Sequence, residues 1–386
     1  MRLNMKRATG IALLLLLYAA GLLAEVYPAL TPKDATSMAL GGSFTSIPTA
    51  QFSFFGNPAA FAAPKASLTL ISTDAWAYIK PTSSNISSFF NAIKNANLSA
   101  IAALMPSDGG IGGGASVGLG YAGKGLGLGV FATTDEYAAG DSIPGAVLNS
   151  DTEVSAVIGL GLPIKFLGTT LSLGGDLRPF YRVRADTPLA DILDSITSSG
   201  GSGTLLDSLR VNAGFGLAMD LGASLQLGSF GIGLSVRDIA PSFPIATPTA
   251  QELLDSLKSG SLPDTSASTA KAVFVPNVTA GMSWKPRLIP GLIDPAMYLE
   301  LQDPVSVVQN WEGIGSALNL LHAGAELKLL NFITLRGGIN RGWLSAGAGL
   351  KFLFLDLNAA VFTEELGALP GDEPRSGLAI QAAIRF

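Results

Sequence analysis

The polar side chains best spaced to act together lie between Asp176 and Arg184. Asp176, Arg178, Arg182 and Arg184 share one parity, against Leu177, Pro179, Tyr181 and Val183 on the other. In an extended strand that parity sets all four on one face. Guanidinium groups pair with carboxylates through parallel N–H donors, so the three arginines are candidates to receive an anionic head group. Equally, they would neutralise Asp176, Glu153 or acids of the N-terminal segment, because a polar interior needs its charges balanced. Chemistry beyond binding has no visible residues. The chain has no Gly-x-Ser-x-Gly elbow, no Walker loop and no zinc-ligand spacing. Gly109 to Gly114 is glycine-rich but lacks the Lys-Ser/Thr that completes a phosphate loop. A single His, His322, and the absence of Cys leave no metal site and no disulfide framework. The expectation is a protein that is not an enzyme and has no cofactor and no metal.

The elements that carry these residues read as strands. From Leu209 to Leu227, odd positions run Leu, Val, Ala, Phe, Leu, Met, Leu, Ala, Leu, Leu. Even positions hold Arg210, Asn212, Asp220, Ser224 and Gln226 among small residues. Period-two alternation of this length exceeds the five or six residues usual in soluble sheets and suits a tilted strand that crosses a membrane. The same alternation recurs around Val154–Leu162, Leu321–Leu329, Ile333–Ile339 and Leu353–Val361, and the chain closes on Leu378 to Phe386. Strands are expected over 66–79, 115–122, 125–134, 152–162, 168–185, 209–227, 230–238, 272–285, 294–304, 319–329, 332–340, 342–351, 353–363 and 376–386. The fold expected is all-β, a transmembrane antiparallel barrel of about fourteen strands, both termini being periplasmic when the count is even. Connections after odd strands are mostly long and those after even strands short, as in outer-membrane barrels, with the tight turn near Arg341 the exception.

Composition agrees. The mean hydropathy of the 386 residues is +0.42, yet no interior run of about eighteen apolar residues exists to make a membrane helix. Charge is sparse at 14%, and a net charge of −5 offers no basic patch for nucleic acid. Residues 1–24 read as a signal peptide, with Arg2, Lys6 and Arg7 ahead of the apolar stretch Ile11 to Leu23, cleavage following Ala24. External loops carry helical spacing around Phe89 and Phe90, around Leu193, and around Leu254 after a Thr249 cap. These apolar faces would either pack as a loop cap or offer lipids a landing surface.

Ahead of the first strand stand Ala39-Leu40-Gly41-Gly42-Ser43-Phe44, then Phe55-Gly56-Asn57-Pro58-Ala59-Ala60-Phe61. This resembles the N-terminal region of the FadL/TodX outer-membrane transporters and their PorV-type relatives. Gly233 to Ile239, His322 to Glu326 and Leu335 to Gly338 resemble the PorV branch. The resemblance implies a hatch over residues 25–65, with Gly41, Gly42, Asn57, Pro58 and Ala59 in it, and a barrel over 66–386. It implies passage of long-chain fatty acids or other hydrophobic small molecules, with outer-membrane lipids and the barrel assembly machinery as further partners. The alternatives are a PorV-like scaffold or shuttle for secreted proteins, and a general porin. Asn57-Pro58-Ala59 is also an ordinary turn former before a strand. Pro28, Pro32 and Pro48 leave the path of the hatch open. On strands two to four the inward parity is mostly glycine, including Gly125, Gly127 and Gly129. Family members are thought to release substrate sideways near a distorted third strand, which makes these three residues a candidate lateral gate. The same glycines would equally make room for the hatch, and Pro179, lacking an amide donor, is the competing weak point.

Overall fold

The computed structural model describes residues 25–42, 45–46, 54–80, 109–140, 145–198, 206–240, 242–265, 268–286, 288–303, 314–367 and 369–386. The expected signal peptide, Phe89 and Phe90 lie outside these residues. Seventeen strands form one sheet; three are short, and the other fourteen close into an antiparallel barrel. The barrel strands are β1 (Ser67–Ile79), β2 (Gly109–Gly123), β3 (Leu126–Gly140), β4 (Val147–Phe166), β5 (Thr169–Pro188), β6 (Asn212–Leu227) and β7 (Phe230–Ile239). They continue as β8 (Asn277–Trp284), β9 (Ile293–Gln302), β10 (Leu321–Leu329), β11 (Ile333–Asn340), β12 (Trp343–Phe352), β13 (Leu355–Glu365) and β14 (Pro374–Arg385). Each pairs with its neighbour in sequence, and closure is made where β14 pairs with β1.

The expected parity is the observed one. Ile158, Leu160 and Phe215 are 59%, 67% and 54% exposed, whereas Glu153, Arg178, Arg182 and Asp220 are buried inside. An apolar exterior around a polar interior is the reverse of a soluble sheet and marks a transmembrane barrel of the bacterial outer-membrane type. Short turns at one end and long connections at the other assign the periplasmic and external faces, and Arg341-Gly342 is a tight turn among the long connections.

Strand boundaries differ from expectation in several places: β2 begins at Gly109 rather than residue 115, and the differences that follow have a physical reason. Residues 135–140 and 147–151, read as loop, extend the β3–β4 hairpin, with Asp135 opposite Asp151 and Glu136 opposite Ser150. Beyond the lipid both faces meet water, so the ladder continues without an apolar alternation to announce it. Residues 272–285 are likewise divided. The segment Lys271–Phe274 forms its own short strand before β8, pairing with Phe243–Ala246 rather than with β7. Asp238, at φ 58°, bends the chain out of β7 just before that second short strand. Among the helical loops, α2 (Leu189–Ser198) and α3 (Ala250–Lys258) form at the external end. Thr249 and Glu252 close a capping box on α3, satisfying two orphan amides. Leu253 is buried beneath α3, and Leu254 is 40% exposed.

Candidate functional site

The described residues of the N-terminal segment lie against the inner wall of the barrel, each held by what it finds there. At the external end Glu25–Tyr27 pairs in parallel with Ala272–Phe274. The Tyr27 ring packs with Phe180, Phe243 and Phe274, under the guanidinium groups of Arg182 and Arg184. Arg182 Nη2 donates to the Pro28 carbonyl at 2.7 Å. Further in, Asp34 caps helix α1 (Ala35–Ala39), accepting from the amides of Thr36 and Ser37 at 3.0 and 3.1 Å and from the Ser37 hydroxyl. Burial raises the Asp34 carboxyl above the usual carboxylate range, although the Ser37 hydroxyl and the α1 amides pull the other way. Gly41 and Gly42 end α1 at φ 73° and 80°, a left-handed exit that suits glycine. His322 Nδ1 carries the proton, since it donates to the Gly41 carbonyl at 2.6 Å.

The second docked stretch contains the Asn-Pro-Ala motif. Asn57 Nδ2 donates to the carbonyls of Ala223 and Leu234 at 3.0 and 3.3 Å, bridging β6 and β7. Its Oδ1 accepts the Ala59 amide at 2.9 Å and caps the 3₁₀ turn Pro58–Ala62, with proline where its missing N–H costs nothing. The segment is therefore a wall-anchored cap rather than a free turn before β1. Arg237 reaches in from β7 to the Phe55 carbonyl. Phe61, with 0% exposure, lies across β3 and β4, and its carbonyl accepts the Gly125 amide at 2.8 Å.

The inward glycines mark this path. A Cβ at Gly127 or Gly159 would overlap the Phe61 ring, one at Gly174 the Pro58 carbonyl, and one at Gly222 the Asn57 side chain. The track continues around the wall, where Cβ atoms at Gly233, Gly324 and Gly347 would stand 2.8, 2.6 and 2.6 Å from Thr45 O, Leu40 O and Ala39 Cβ. Gly129 faces Phe131 and Phe54. Of the candidate gate residues, Gly127 and Gly129 are thus covered from inside by aromatic rings. Strand β3 pairs without register break on both sides. The irregularities lie elsewhere: a bulge in β1 between Thr69 and Ser72, a shift between Met219 and Leu221, and an interruption of the β4–β5 ladder at Pro179. These observations favour glycine as room for the hatch over glycine as a deformable wall.

The arginines are engaged. Arg178 pairs with Glu153 at 2.9 Å and with Asp238, and Arg182 donates through Nε to Asp151 at 2.7 Å. Arg184 lies 3.6 Å from Asp151 and 3.4 Å from Asp186. Of the partners named by sequence, Glu153 is engaged, whereas the Asp176 carboxyl has no hydrogen bond among the described residues and stands in register with Asp220. Glu153 is the acid that both inner arginines share. Sequence reasoning passed over Tyr27 and Phe61 as contributors; the signal for Phe61 was an aromatic residue just after Asn-Pro-Ala, matched by glycine on facing strands. Leu193 lies on α2, its side chain outside the described set, and Leu254 stays on the exterior of α3. A cavity of about 60 Å³ remains between the hatch residues Asp34, Phe54 and Phe55 and the wall residues Ser72, Ser116 and Arg385. That is well below the roughly 150 Å³ that accepts benzene.

No protein-family model matches the chain, and no curated protein matches it. Solved structures do. The chain is similar to the toluene transporter TbuX of Ralstonia pickettii, at 10% identity over 92% of this chain and 98% of that one, with a TM-score of 0.50. It is also similar to the toluene transporter TodX of Pseudomonas putida, at 13% identity over 94% of this chain and 98% of that one, with a TM-score of 0.45. At such identity the likeness to TbuX is one of fold alone, a β-barrel over nearly the whole of both chains.

Proposed function

We propose that this protein passes hydrophobic small molecules through the bacterial outer membrane by diffusion, the docked N-terminal segment acting as the gate. The observation that carries the reading is the plug itself. A lumen occupied by a segment seated on a glycine track conducts only when that segment shifts, which suits a selective passage rather than an open pore. The fold shared with a toluene transporter supports the same reading. The cargo is a neutral hydrophobic molecule, such as a monoaromatic hydrocarbon, in preference to a fatty acid. Arg178 and Arg182 are already neutralised by acids of the wall, so a carboxylate would have to break an existing pair. The chain encodes no energy source, so flux follows the gradient. The test is uptake of labelled toluene and labelled long-chain fatty acid by cells that do or do not carry the barrel. Faster toluene entry with unchanged fatty-acid entry is expected. Barrel-dependent uptake of neither molecule would overturn the proposal.

A further inference from the structure

The periplasmic end of the barrel departs from ordinary turn chemistry. Tight turns with positive φ are normally built from Gly, Asn or Asp. Here Leu167, Leu330 and Leu353 hold φ values of 45°, 53° and 54°, in conformations that disfavour bulky L-residues. Packing does not compensate them, because their exposures are 84%, 63% and 75%. Aromatic pairs flank the Leu330 and Leu353 turns, and the Gly228-Ser229 turn, on the outer surface. Phe230 stacks on Trp284 at 6.0 Å, Phe332 meets Phe352 edge-on at 6.3 Å, and Phe354 stacks on the terminal Phe386 at 5.8 Å. The pairs stand at the periplasmic ends of β7–β8, β11–β12 and β13–β14, and Leu167 joins β4 to β5, so the apolar turns and rings run around the barrel from β4 to β14.

Charge at this end is one-sided. Lys65, Lys124, Lys165 and Lys351 are exposed there, and none of the six short turns contains Asp or Glu. The nearest acids are occupied: Asp294 accepts the Gly291 amide at 3.0 Å, and Asp356 pairs with Arg385 at 2.6 Å. Aromatic girdles are common to membrane barrels, but turns made of leucine in left-handed conformations are not explained by a girdle. A protein partner would present one contiguous face. A ring of apolar turns and lysines is matched on every side only by a lipid leaflet, with acyl chains below anionic head groups.

We propose that the periplasmic turns are seated in the inner leaflet of the outer membrane, the leucines at the acyl boundary and the lysines on anionic phospholipid head groups. This inference is independent of what the barrel transports. The chain has no Cys, so single nitroxide labels can be placed without background. Leu167→Cys, Leu330→Cys and Leu353→Cys, in the full-length barrel in phosphatidylethanolamine–phosphatidylglycerol vesicles, should collide several-fold more with oxygen than with a nickel chelate. Lys258→Cys on α3, where the side chain is 70% exposed, should show the reverse. Chelate access at all three turns equal to that at Lys258→Cys would overturn the seating. Should a turn variant misfold, the protein with its native turns supplies the second measurement. Its emission, less that of Trp284→Phe, should be quenched by brominated phospholipid, and no quenching would count against the proposal. For the charge, Lys124→Gln, Lys165→Gln and Lys351→Gln together should cut the phosphatidylglycerol retained in native mass spectra several-fold relative to phosphatidylethanolamine. Unchanged retention would remove the lysines from it.

Discussion

Substitution of Gly127 by alanine separates the two readings of the glycine-lined wall. A methyl group at this position would occupy the space of the Phe61 ring, which is wholly buried against β3 and β4. The barrel backbone is fixed by ladders on both sides, so Phe61 must move. Losing full burial of a phenylalanine costs about 1.5–3 kcal/mol. At about 1.4 kcal/mol per tenfold, the upper part of that range raises the undocked population of the hatch by roughly 30- to 150-fold. Hydrogen exchange reads this at the Gly125 and Lys124 amides, which donate to Phe61 O at 2.8 Å and Ala63 O at 2.7 Å. Both should lose protection while amides of the β9–β10 ladder keep theirs. Phe61→Ala alone should also loosen the hatch, but Gly127→Ala with Phe61→Ala should cost clearly less than the sum, because the new methyl enters the vacated space. Gly127→Trp should raise ion leak through the plug. A deformable gate predicts the reverse: blocked uptake with the hatch in place. Additive effects in the double variant, or unchanged protection in Gly127→Ala, would refute the assignment of this glycine to hatch docking.

Other residues give parallel tests. Asn57→Ala removes two bonds to barrel carbonyls and the cap on Ala59, so it should weaken hatch docking by about 1–3 kcal/mol, measured as faster proteolysis between residues 54 and 66. Docking raises the Asp34 carboxyl, so the docked form binds the proton more tightly than the free segment. That stability is fully present below the ordinary carboxylate range and is lost as pH rises through the raised value. Hydrogen exchange in α1 should therefore quicken with pH beyond its intrinsic trend, and Asp34→Asn, still a good cap, should abolish the excess. Replacing Arg178, Arg182 and Arg184 together by Gln leaves Glu153, Asp151 and Asp238 uncompensated. Loss of a buried partner costs about 3–5 kcal/mol, seen as a lower urea midpoint for the barrel. Binding of a fatty acid and its methyl ester should change equally; selective loss of the acid would restore these arginines as a carboxylate receptor.

Much of the barrel was readable from parity because lipid imposes it. A residue such as Ile158 or Phe215 has only one tolerable direction, and a slip of one position would turn Arg178 or Asp220 into hydrocarbon. The fourteen strands, their order and the inside face of Arg178, Arg182 and Arg184 follow from that constraint alone. Where lipid ends, so does the signal. Asp135, Glu136 and Tyr137 pair across the β3–β4 hairpin in water, and their strand character left no alternation to read. The break between Phe243–Ala246 and β7 depends on one left-handed residue, Asp238, whose type is unremarkable at a strand end.

The lumen was less readable because periodicity says which way a side chain points and not what it meets there. Gly127 and Gly159 announced empty space on the inward face of strands two to four, and Gly174 and Gly222 continue it on β5 and β6. Whether that space is a thin wall or a seat depends on a segment more than sixty residues away in sequence. The partner of each glycine is a particular atom of Phe61, Pro58 or Asn57, fixed by the depth at which Asn57 hooks the carbonyls of β6 and β7. The arginines show the same limit in charge. Parity put Asp176 and Glu153 inside with them, yet alternation cannot give the lateral reach across strands that chooses Glu153 and Asp238 for Arg178 and leaves Asp176 facing Asp220. An inward parity rich in glycine is therefore better read as the imprint of another part of the chain. The place to look for its occupant is a segment that carries its own cap and a large ring, as Asn57 to Phe61 does.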